Sequence, residues 1–316
     1  MENRVLVTGS IAYDVLLSYD GVFADAIHAD ALDQLSLSFF AQHYARHNGG
    51  TGANIAWNLR LLNGDPLLVS TAGSDGGEYL ATLQERGIDT QYVDLIQDRV
   101  TATAIIGTDS RENQITFFHP GADVAGTWPD LSSLRDDIAY AIVSPRDTRL
   151  MLAAVEWCEA MRLPFIFDPG QQINAFSEDE LSRCVRASAG VIVNEYEWSL
   201  ISKRLNYTEE NIILDTPLLI ITRSEHGITT FNSDGAQTFG ACKPDKVVNP
   251  TGAGDAFRAG LLKGFSSGWS LTDSCRLGAA LGSKVVEIEG TLIDQLDLVD
   301  LRKRVKETYD EELPNL

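Results

Sequence analysis

Short runs of β-branched residues alternate with longer amphipathic stretches along most of this chain, and this alternation restricts the folds open to it. The runs predict buried strands, and the stretches predict helices. The strands are expected at residues 5–10, 67–72, 139–143, 164–168, 190–194 and 218–222, and two of the helices at 50–62 and 77–86. Strands that alternate with helices pair in parallel through crossover connections. The sequence therefore predicts an α/β fold with a mainly parallel sheet.

Polar residues follow several of the predicted strands. In an open parallel sheet, ligands bind beyond the carboxyl ends of the strands. The residues in this position are Ser10, Asp14, Asp168, Asn194 and Thr222. We therefore expect them to be candidates for one shared site.

Two regions depart from the alternation. Residues from 12 to about 40 and from 99 to 119 are rich in β-forming or alternating sequence, such as Thr-Ala-Thr-Ala-Ile-Ile at 101–106. They predict a small separate sheet that projects over the strand ends. Such a sheet would serve as a lid that excludes water, which a phosphoryl-transfer enzyme needs if it is not to hydrolyse its donor.

Composition excludes several classes of partner. A net charge of −20 gives a surface that repels nucleic acid and anionic lipid, so we expect neither as a partner. The chain contains no apolar run of about 18 residues and no export signal, which predicts a cytoplasmic protein. Four widely spaced cysteines are interpreted as buried thiols in a reducing compartment. A phosphate-bearing ligand would need local dipoles, an Arg or Lys, or a divalent cation.

The segment 248–257, Val-Asn-Pro-Thr-Gly-Ala-Gly-Asp-Ala-Phe, places a glycine-rich turn and a carboxylate at the start of an apolar helix. Gly252 and Gly254 allow tight backbone whose N–H groups converge on one anion, and the helix adds its positive end. Asp255 is positioned to accept a proton from an attacking hydroxyl. Because it lies at a helix N-terminus, we expect its basicity to be low. The alternative is a plain turn with an acidic cap.

A second glycine-rich turn, residues 48–54, also precedes a helix. Its glycines, including Gly50, would let a polar ligand approach the main chain, and Asn54 offers a donor and an acceptor to a hydroxylated molecule. Asp14, beyond the first strand, could accept hydrogen bonds from neighbouring sugar hydroxyls. A loop with a capping Asn and a turn-forming Asp are the respective alternatives.

Asn194 and Glu197 follow a strand at a spacing that puts both on one side of a helix. One or two oxygen ligands suit Mg²⁺, which keeps most of its waters, so the pair could orient nucleotide phosphates. An ordinary capping arrangement is the alternative. His43 and His47 lie four residues apart, a spacing that can bind zinc on a helix, but no third ligand and no zinc-protease Glu accompany them, so no metal site is predicted there.

The strand ending at Thr222 is followed by Arg223 and, after three more residues, by Gly227. Thr222 and Gly227 could contact phosphate or ribose, and Arg223 could supply positive charge or be solvated. The amides of Gln171 and Gln172 could recognise the edge of a nucleobase, unless they belong to a surface loop. Neither a Walker motif nor a strand-linked G-x-G-x-x-G occurs, which removes the main support for a Walker-type NTPase or a dinucleotide-binding dehydrogenase.

Three motifs occur in the order found in the PfkB, or ribokinase-like, carbohydrate and nucleoside kinases. They are Asn-Gly-Gly-x-Gly-Ala-Asn at 48–54, Asn-x-x-Glu at 194–197 and Thr-Gly-Ala-Gly-Asp at 251–255. The chain resembles this family over essentially its whole length. The resemblance implies one domain over residues 1–316, a three-layer α/β/α arrangement with a small β lid, and MgATP as donor to a primary hydroxyl.

The same resemblance implies roles for the motif residues. Asp255 would be the base, with an anion hole from Gly252, Ala253 and Gly254. Asn194 and Glu197 would organise Mg²⁺ and phosphate, and the ATP site would include Thr222 and Gly227.

Within the family, the pattern is most similar to bacterial adenosine or broad nucleoside kinases. The resemblance implies that Asp14, Gly50 and Asn54 hold the ribose, with Ser10 part of the Ser-x-x-x-Asp motif. Gln171 and Gln172 would lie near the base or the ribose, and Phe117 and Phe118 would stack on the purine. Two residues depart from the family pattern. Asn249 replaces an Asp, which puts a monovalent-cation site in doubt, and Ser224 replaces a Gly in the nucleotide loop.

These observations favour an ATP-dependent kinase that phosphorylates the 5′-hydroxyl of a ribonucleoside, with adenosine as the first choice. A kinase for free ribose or fructose and a sensor without catalysis are the alternatives. The lid is also a candidate surface for homodimerisation.

Overall fold

The computed structural model describes residues 4–27 and 36–315. Within these ranges the strands form a nine-stranded sheet and a four-stranded sheet. The strands are β1 (Arg4–Thr8), β2 (Ala12–Ser18), β3 (His43–Gly49), β4 (Pro66–Gly73), β5 (Val93–Ile96), β6 (Ala102–Thr108), β7 (Gln114–His119), β8 (Ile138–Val143), β9 (Phe165–Phe167), β10 (Gly190–Asn194), β11 (Leu219–Thr222), β12 (Ile228–Asn232) and β13 (Gly235–Phe239). The helices are α1 (Phe23–Ala26), α2 (Thr51–Leu61), α3 (Gly77–Glu85), α4 (Thr148–Met161), α5 (Glu178–Ala187), α6 (Glu195–Leu205), α7 (Ala253–Ser266), α8 (Leu271–Val285) and α9 (Leu298–Tyr309).

The large sheet has the strand order β13-β12-β11-β10-β9-β8-β1-β4-β5. Its strands pair in parallel except at one edge, where β11, β12 and β13 are antiparallel. Successive side chains of a strand point to opposite faces. In β10, Ile192 therefore packs on one face, and Val191 and Val193 pack on the other.

Two helix layers cover the large sheet. Helices α2, α3, α7, α8 and α9 contribute to the apolar cluster on one face, and α4, α5 and α6 contribute to the cluster on the other. The predicted three-layer α/β/α fold with a mainly parallel sheet is thereby confirmed. In residues 4–27 and 36–315, none of the helices has both the length and the apolar character that crossing a membrane requires.

The four-stranded sheet, with the order β3-β2-β6-β7, forms the lid. Its strands β2, β6 and β7 lie in the two regions that the sequence predicted. The strand His43–Gly49, however, lies beyond the expected range 12–40, and residues 28–35 of that range fall outside the described residues. This strand escaped prediction because both of its faces carry polar residues. His43 and His47 lie on one face and Arg46 and Asn48 on the other, so neither face is consistently apolar.

Candidate active site

The candidate residues gather where the carboxyl ends of the central strands meet the N-termini of α2, α6 and α7. Ser10 follows β1, Asp168 follows β9, and Asn194 ends β10. Because β1, β9 and β10 belong to one parallel sheet, these ends share an edge. The lid strand β2 begins at Ala12 and carries Asp14 over the same edge.

Helix α7 begins without a side-chain cap. Gly252 precedes it with a left-handed φ of 85°, and a Cβ there would lie 2.9 Å from the Cβ of Thr291. By contrast, side chains cap α5, α6 and α8. The Ala253 N–H makes a long 3.3 Å hydrogen bond to the Pro250 carbonyl. The N–H groups of Gly254 and Asp255 make no backbone hydrogen bond among the described residues. The helix end can therefore receive an anion.

Asp255, in the first turn of α7, is oriented by a side chain from α2. Its Oδ2 accepts a 2.8 Å hydrogen bond from Nδ2 of Asn54, and Oδ1 of Asn54 accepts a 2.9 Å bond from the Thr291 hydroxyl. Asn54 was expected to face the sugar, yet it is buried and both of its polar atoms have protein partners. One N–H of its amide remains for a ligand. Thr291 was missed because it lies outside any regular element.

The surroundings of Asp255 make it more basic than its place at a helix end suggested. Burial raises its pKa to about 7, with further increases from Asp168 and Asp14, while Arg258 and the Asn54 hydrogen bond lower it. The expectation of low basicity was wrong because desolvation outweighs these stabilising interactions. A carboxylate with a pKa near the working pH is a well-matched general base.

A buried ion pair lies beside Asp255. Nε and Nη2 of Arg258 each lie 2.6 Å from a carboxylate oxygen of Asp168. Asp168 is fully buried and Arg258 is 8% exposed. The sequence put Asp168 at the site but missed Arg258, although an Arg within the apolar run Ala-Phe-Arg-Ala-Gly at 256–260 was an available signal.

Asp14 lies on the lid, near enough to Asp255 for its charge to raise the pKa of Asp255. A Cβ at Gly49 would lie 2.4 Å from Asp14 Oδ2, so any larger residue there would displace the Asp14 carboxylate. Burial raises the pKa of Asp14 to about 6, although the neighbouring His47 lowers it. The carboxylate therefore ionises just below neutral pH and can then accept hydrogen bonds from hydroxyls.

The strand register of the lid separates Phe118 from Phe117. His47, Asp14, Ala104 and Phe118 occupy one row across the four strands. Residues in one row project from the same face. Phe118 thus shares the face of Asp14, whereas Phe117 projects from the opposite face.

Ser10 and Gly50 connect β1, the lid and α2. The Ser10 hydroxyl accepts the Thr51 N–H at 3.2 Å, and its carbonyl accepts those of Gly52 and Ala53. Gly50 has a φ of 92°, and a Cβ there would lie 2.5 Å from the Ala12 nitrogen. The glycine at position 50 is therefore required by contact with protein backbone, which the sequence had attributed to a ligand.

A cavity of about 420 Å³ opens beside the N-terminus of α7. Its walls come from the end of β11, the following loop, and helices α7 and α8, and they include Thr222, Ser224, Gly227, Cys242, Ala253, Gly254 and Gly282. Ser224 has a left-handed φ of 49°, which explains why a glycine would suit this position. Arg223 is absent from these walls and instead pairs with Glu195 at 3.2 Å.

Asn194 and Glu197 form a capping box at the start of α6. The Asn194 side chain accepts the Glu197 N–H at 2.8 Å, and Glu197 Oε2 accepts the Asn194 N–H at 2.8 Å. The alternative that the sequence left open is therefore the observed local geometry. Glu197 Oε1 has no hydrogen bond within the described residues, and burial and the charge of Asp168 raise the pKa of Glu197. This oxygen remains available to a cation.

Gln171 and Gln172 lie in a 3₁₀ turn, Gly170–Ala175, that starts two residues after Asp168. Gln171 is exposed and Gln172 is half-buried. Neither amide has a hydrogen-bond partner among residues 4–27 and 36–315, so both can bind a ligand. Asn249, at the entry to α7, accepts the Thr251 N–H through its amide oxygen at 3.0 Å.

The chain is similar to known kinases over nearly its whole length. The family described as pfkB family carbohydrate kinase matches residues 4–297. A nucleoside kinase of Methanothermobacter thermautotrophicus is 29% identical over 319 residues, which cover 99% of both chains. The structure of Burkholderia thailandensis nucleoside kinase in complex with inosine is 33% identical, with a TM-score of 0.87 over 98% of this chain and all of that one. The ADP-inosine complex of the same enzyme gives 33% identity and a TM-score of 0.85, covering 99% of this chain and 98% of that one.

Proposed function

Because the chain belongs to the pfkB family of carbohydrate kinases, we propose that it transfers the γ-phosphate of ATP to the 5′-hydroxyl of a ribonucleoside, with adenosine as the acceptor. One observation carries the proposal. Asp255 follows Gly254, which lines a cavity of about 420 Å³, at the uncapped start of a helix, and it lies close enough to the lid carboxylate Asp14 for that charge to raise its pKa. The inosine and ADP-inosine complexes of the similar Burkholderia thailandensis enzyme support a nucleoside as acceptor.

In the proposed reaction, the acceptor hydroxyl gives its proton to the Asp255 carboxylate as its oxygen attacks the γ-phosphorus. The new P–O bond forms while the bond from the γ-phosphorus to the β,γ-bridging oxygen breaks, and ADP leaves. The backbone of Gly252, Ala253 and Gly254 faces the phosphoryl group as the anion hole. Asn54 holds the receiving carboxylate in place.

We propose that ATP binds in the cavity beside α7, where Thr222 and Gly227 contribute walls. We propose that Mg²⁺ accompanies it and that Glu197 Oε1, with Asn194 nearby, lies on its protein side. Within the described residues no group of three or more His, Cys, Asp or Glu could hold a metal ion. A site with one or two protein oxygens suits Mg²⁺, which takes its other ligands from phosphate and water. Bound Mg²⁺ would neutralise phosphate charge. An ATP-dependent enzyme also agrees with the cytoplasmic location that the sequence predicted.

On the acceptor side, Asp14 would bind ribose hydroxyls, and Ser10, Gly50 and the remaining Asn54 N–H would line the ribose. Phe118 would stack on the base from the same face of the lid. The unpartnered amides of Gln171 and Gln172 would recognise the base edge.

A panel of acceptors tests the proposal. Adenosine, inosine, guanosine, cytidine, ribose and fructose would each be incubated with MgATP, and ADP release and the phosphorylated product would be measured. We expect the highest kcat/KM with adenosine. A preference for inosine would correct the base, activity confined to ribose or fructose would replace the nucleoside with a sugar, and adenosine binding without ADP release would support the non-catalytic sensor.

We also propose that the lid mediates a homodimer. The face opposite Asp14 exposes Tyr44, Ile105 and Phe117, whose side chains are 67%, 40% and 69% exposed. Such an apolar group on one face suits a second copy of the same surface. Analytical ultracentrifugation of the wild type and a Tyr44→Ser/Phe117→Ser variant tests this. We expect a dimer that the variant loses, and a monomeric wild type would contradict the proposal.

A further inference from the structure

We propose that Arg258 is a further catalytic residue, which donates a hydrogen bond from Nη1 to the phosphoryl group in transit while Asp168 holds the rest of the guanidinium. The inference rests on the proposed phosphoryl transfer. Arg258 stays protonated throughout, so the proton of the acceptor still goes to Asp255 and the bonds that form and break are unchanged.

Two guanidinium nitrogens of Arg258 bond Asp168, and the third has no partner among the described residues. Nε and Nη2 each donate to Asp168 at 2.6 Å, a bidentate arrangement that fixes the plane of the group. The hydrogen bonds within residues 4–27 and 36–315 leave Nη1 without a partner. Nη1 is not a fully buried atom, because none of the fully buried side-chain atoms without a partner in the described part of the chain belongs to Arg258. It therefore has some contact with solvent, although Arg258 as a whole is only 8% exposed.

The contact with Gly254 shows where Nη1 lies. A Cβ built on Gly254 would lie 2.9 Å from Nη1, and apart from the adjoining residues and the backbone of the same helix no other described atom would lie within 4 Å of it. Gly254 lines the cavity proposed for ATP and belongs to the proposed anion hole. The free nitrogen therefore lies beside the backbone that faces the phosphoryl group. Glycine at 254 leaves the space that the guanidinium needs.

The charges around Arg258 support the same role. Asp168, Asp255 and Glu197 all raise the pKa of Arg258, and its own positive charge lowers the pKa of Asp255 and Glu197. A phosphoryl group entering between these carboxylates would add further negative charge. A fixed cation in a largely water-excluded site offsets that charge without having to reorganise. Arg223, the cation that the sequence suggested, pairs with Glu195 and does not line the cavity.

A purely structural role for Arg258 makes different predictions. If Arg258 only neutralised Asp168, any variant that kept this pair satisfied would leave phosphoryl transfer and nucleotide preference unchanged. The two roles can therefore be separated by replacing the guanidinium with a group that pairs with Asp168 but has no second arm. Lysine has a single ammonium centre and provides that replacement.

The experiment compares Arg258→Lys with wild type and with Arg183→Lys, a matched change at an exposed Arg that pairs with Glu156 and Glu159. Acceptor turnover is measured with MgATP, and the affinities for ATP and ADP are measured by calorimetry without acceptor. We expect Arg258→Lys to remain folded by circular dichroism, to lose about 100-fold in kcat, and to lose about tenfold in its preference for ATP over ADP. Arg183→Lys should match the wild type.

Turnover within threefold of wild type, with an unchanged ATP-to-ADP affinity ratio, would overturn the inference. If Arg258→Lys fails to fold, Arg258→Gln/Asp168→Asn removes both charges together and carries the same two expectations. The proposed function fails separately, when the wild type phosphorylates no nucleoside. Should the wild type use a sugar instead, the comparison is made with that sugar, and the calorimetry needs no acceptor.

Discussion

The large sheet and the lid differ in how far their strands are buried. Strand β4 of the large sheet is buried at every position, whereas β3 and β7 of the lid are mostly half-buried or exposed. The large sheet is covered by helices on both faces. The lid instead exposes Tyr44, Ile105 and Phe117 on the face opposite Asp14. The comparison indicates that the large sheet supplies most of the buried core, and we propose that it also holds the catalytic groups while the lid contacts the acceptor.

The largest expected effect lies on the side of the large sheet. Asp255→Asn removes the proposed base, and we expect kcat to fall by about 10³-fold because general bases contribute factors of this order. Nucleoside affinity should change little, since the proposed ribose contacts lie on the lid and at the start of α2. Steady-state kinetics and calorimetry provide the two measurements. Asp234→Asn, in the exposed turn between β12 and β13, is the control, and a kcat within tenfold of wild type would reject Asp255 as the base.

Matched truncations test where stability resides. Ile192→Ala empties a fully buried position in β10 and should lower the free energy of unfolding by about 3 kcal/mol. Ile105→Ala changes a lid residue that is 40% exposed and, at protein concentrations low enough to keep the proposed dimer dissociated, should cost about 0.5 kcal/mol or less. Urea denaturation of both variants measures the difference. Equal losses would show that the lid contributes to the core as much as the large sheet does.

The lid carboxylate should control acceptor affinity. Asp14→Asn keeps the shape of the side chain but loses the charge that accepts ribose hydroxyls, and we expect KM for the nucleoside to rise about 30-fold because hydrogen bonds to charged groups contribute about 1.5–3 kcal/mol. The value of kcat should stay within about tenfold of wild type. If kcat falls more than affinity does, Asp14 belongs to the catalytic group and the division between sheet and lid is wrong.

The raised pKa of Asp255 predicts a cost in stability. Its folded-state value is about 7, above its ordinary 3.8, so the folded protein binds this proton more tightly than the unfolded chain does. The unfolding free energy should therefore fall as the pH rises from about 4 to about 7. A tenfold difference in proton affinity between the folded and unfolded states corresponds to about 1.4 kcal/mol. Because Asp255 keeps partial contact with solvent, the full effect is reduced, and we expect the unfolding free energy to fall by about 2 kcal/mol.

Asp255→Asn removes this ionisation, so the variant shows how much unfolding free energy the ionised Asp255 removes from the wild type. The variant should be more stable than wild type by about 2 kcal/mol at pH 8 and about equal to it near pH 4, as measured by denaturant unfolding. Asp234→Asn again serves as the control. The same stability difference at both pH values would mean that the substitution acts through packing rather than charge.

The smallest effect distinguishes the two faces of the lid. Phe118→Ala should raise KM for the nucleoside about tenfold, as expected for one base–aromatic stacking contact. Phe117→Ala, on the opposite face, should change KM less than about twofold. Because the residues are neighbours in one strand, each is the control for the other. Equal effects would contradict the register argument.

Prediction from sequence worked best where the information is local. The alternation of strands and helices and the start of α7 at the Gly-Ala-Gly turn depend on near neighbours, and both are found in the structure. Prediction failed at β3, where polar residues lie on both faces, and at the basicity of Asp255, where a rule about helix ends was outweighed by burial.

The sequence by itself determined the α/β architecture, the family motifs and the place of the carboxylate at a glycine-rich helix end, because these depend on hydrophobic period and backbone freedom within a few residues. Only the tertiary structure decided that Asn54 orients Asp255 and that Arg258 pairs with Asp168, contacts that span 201 and 90 positions. It also decided the pKa of Asp255. Such contacts, and the loss of water that raises the pKa of a buried carboxylate, exist only after the whole chain has packed.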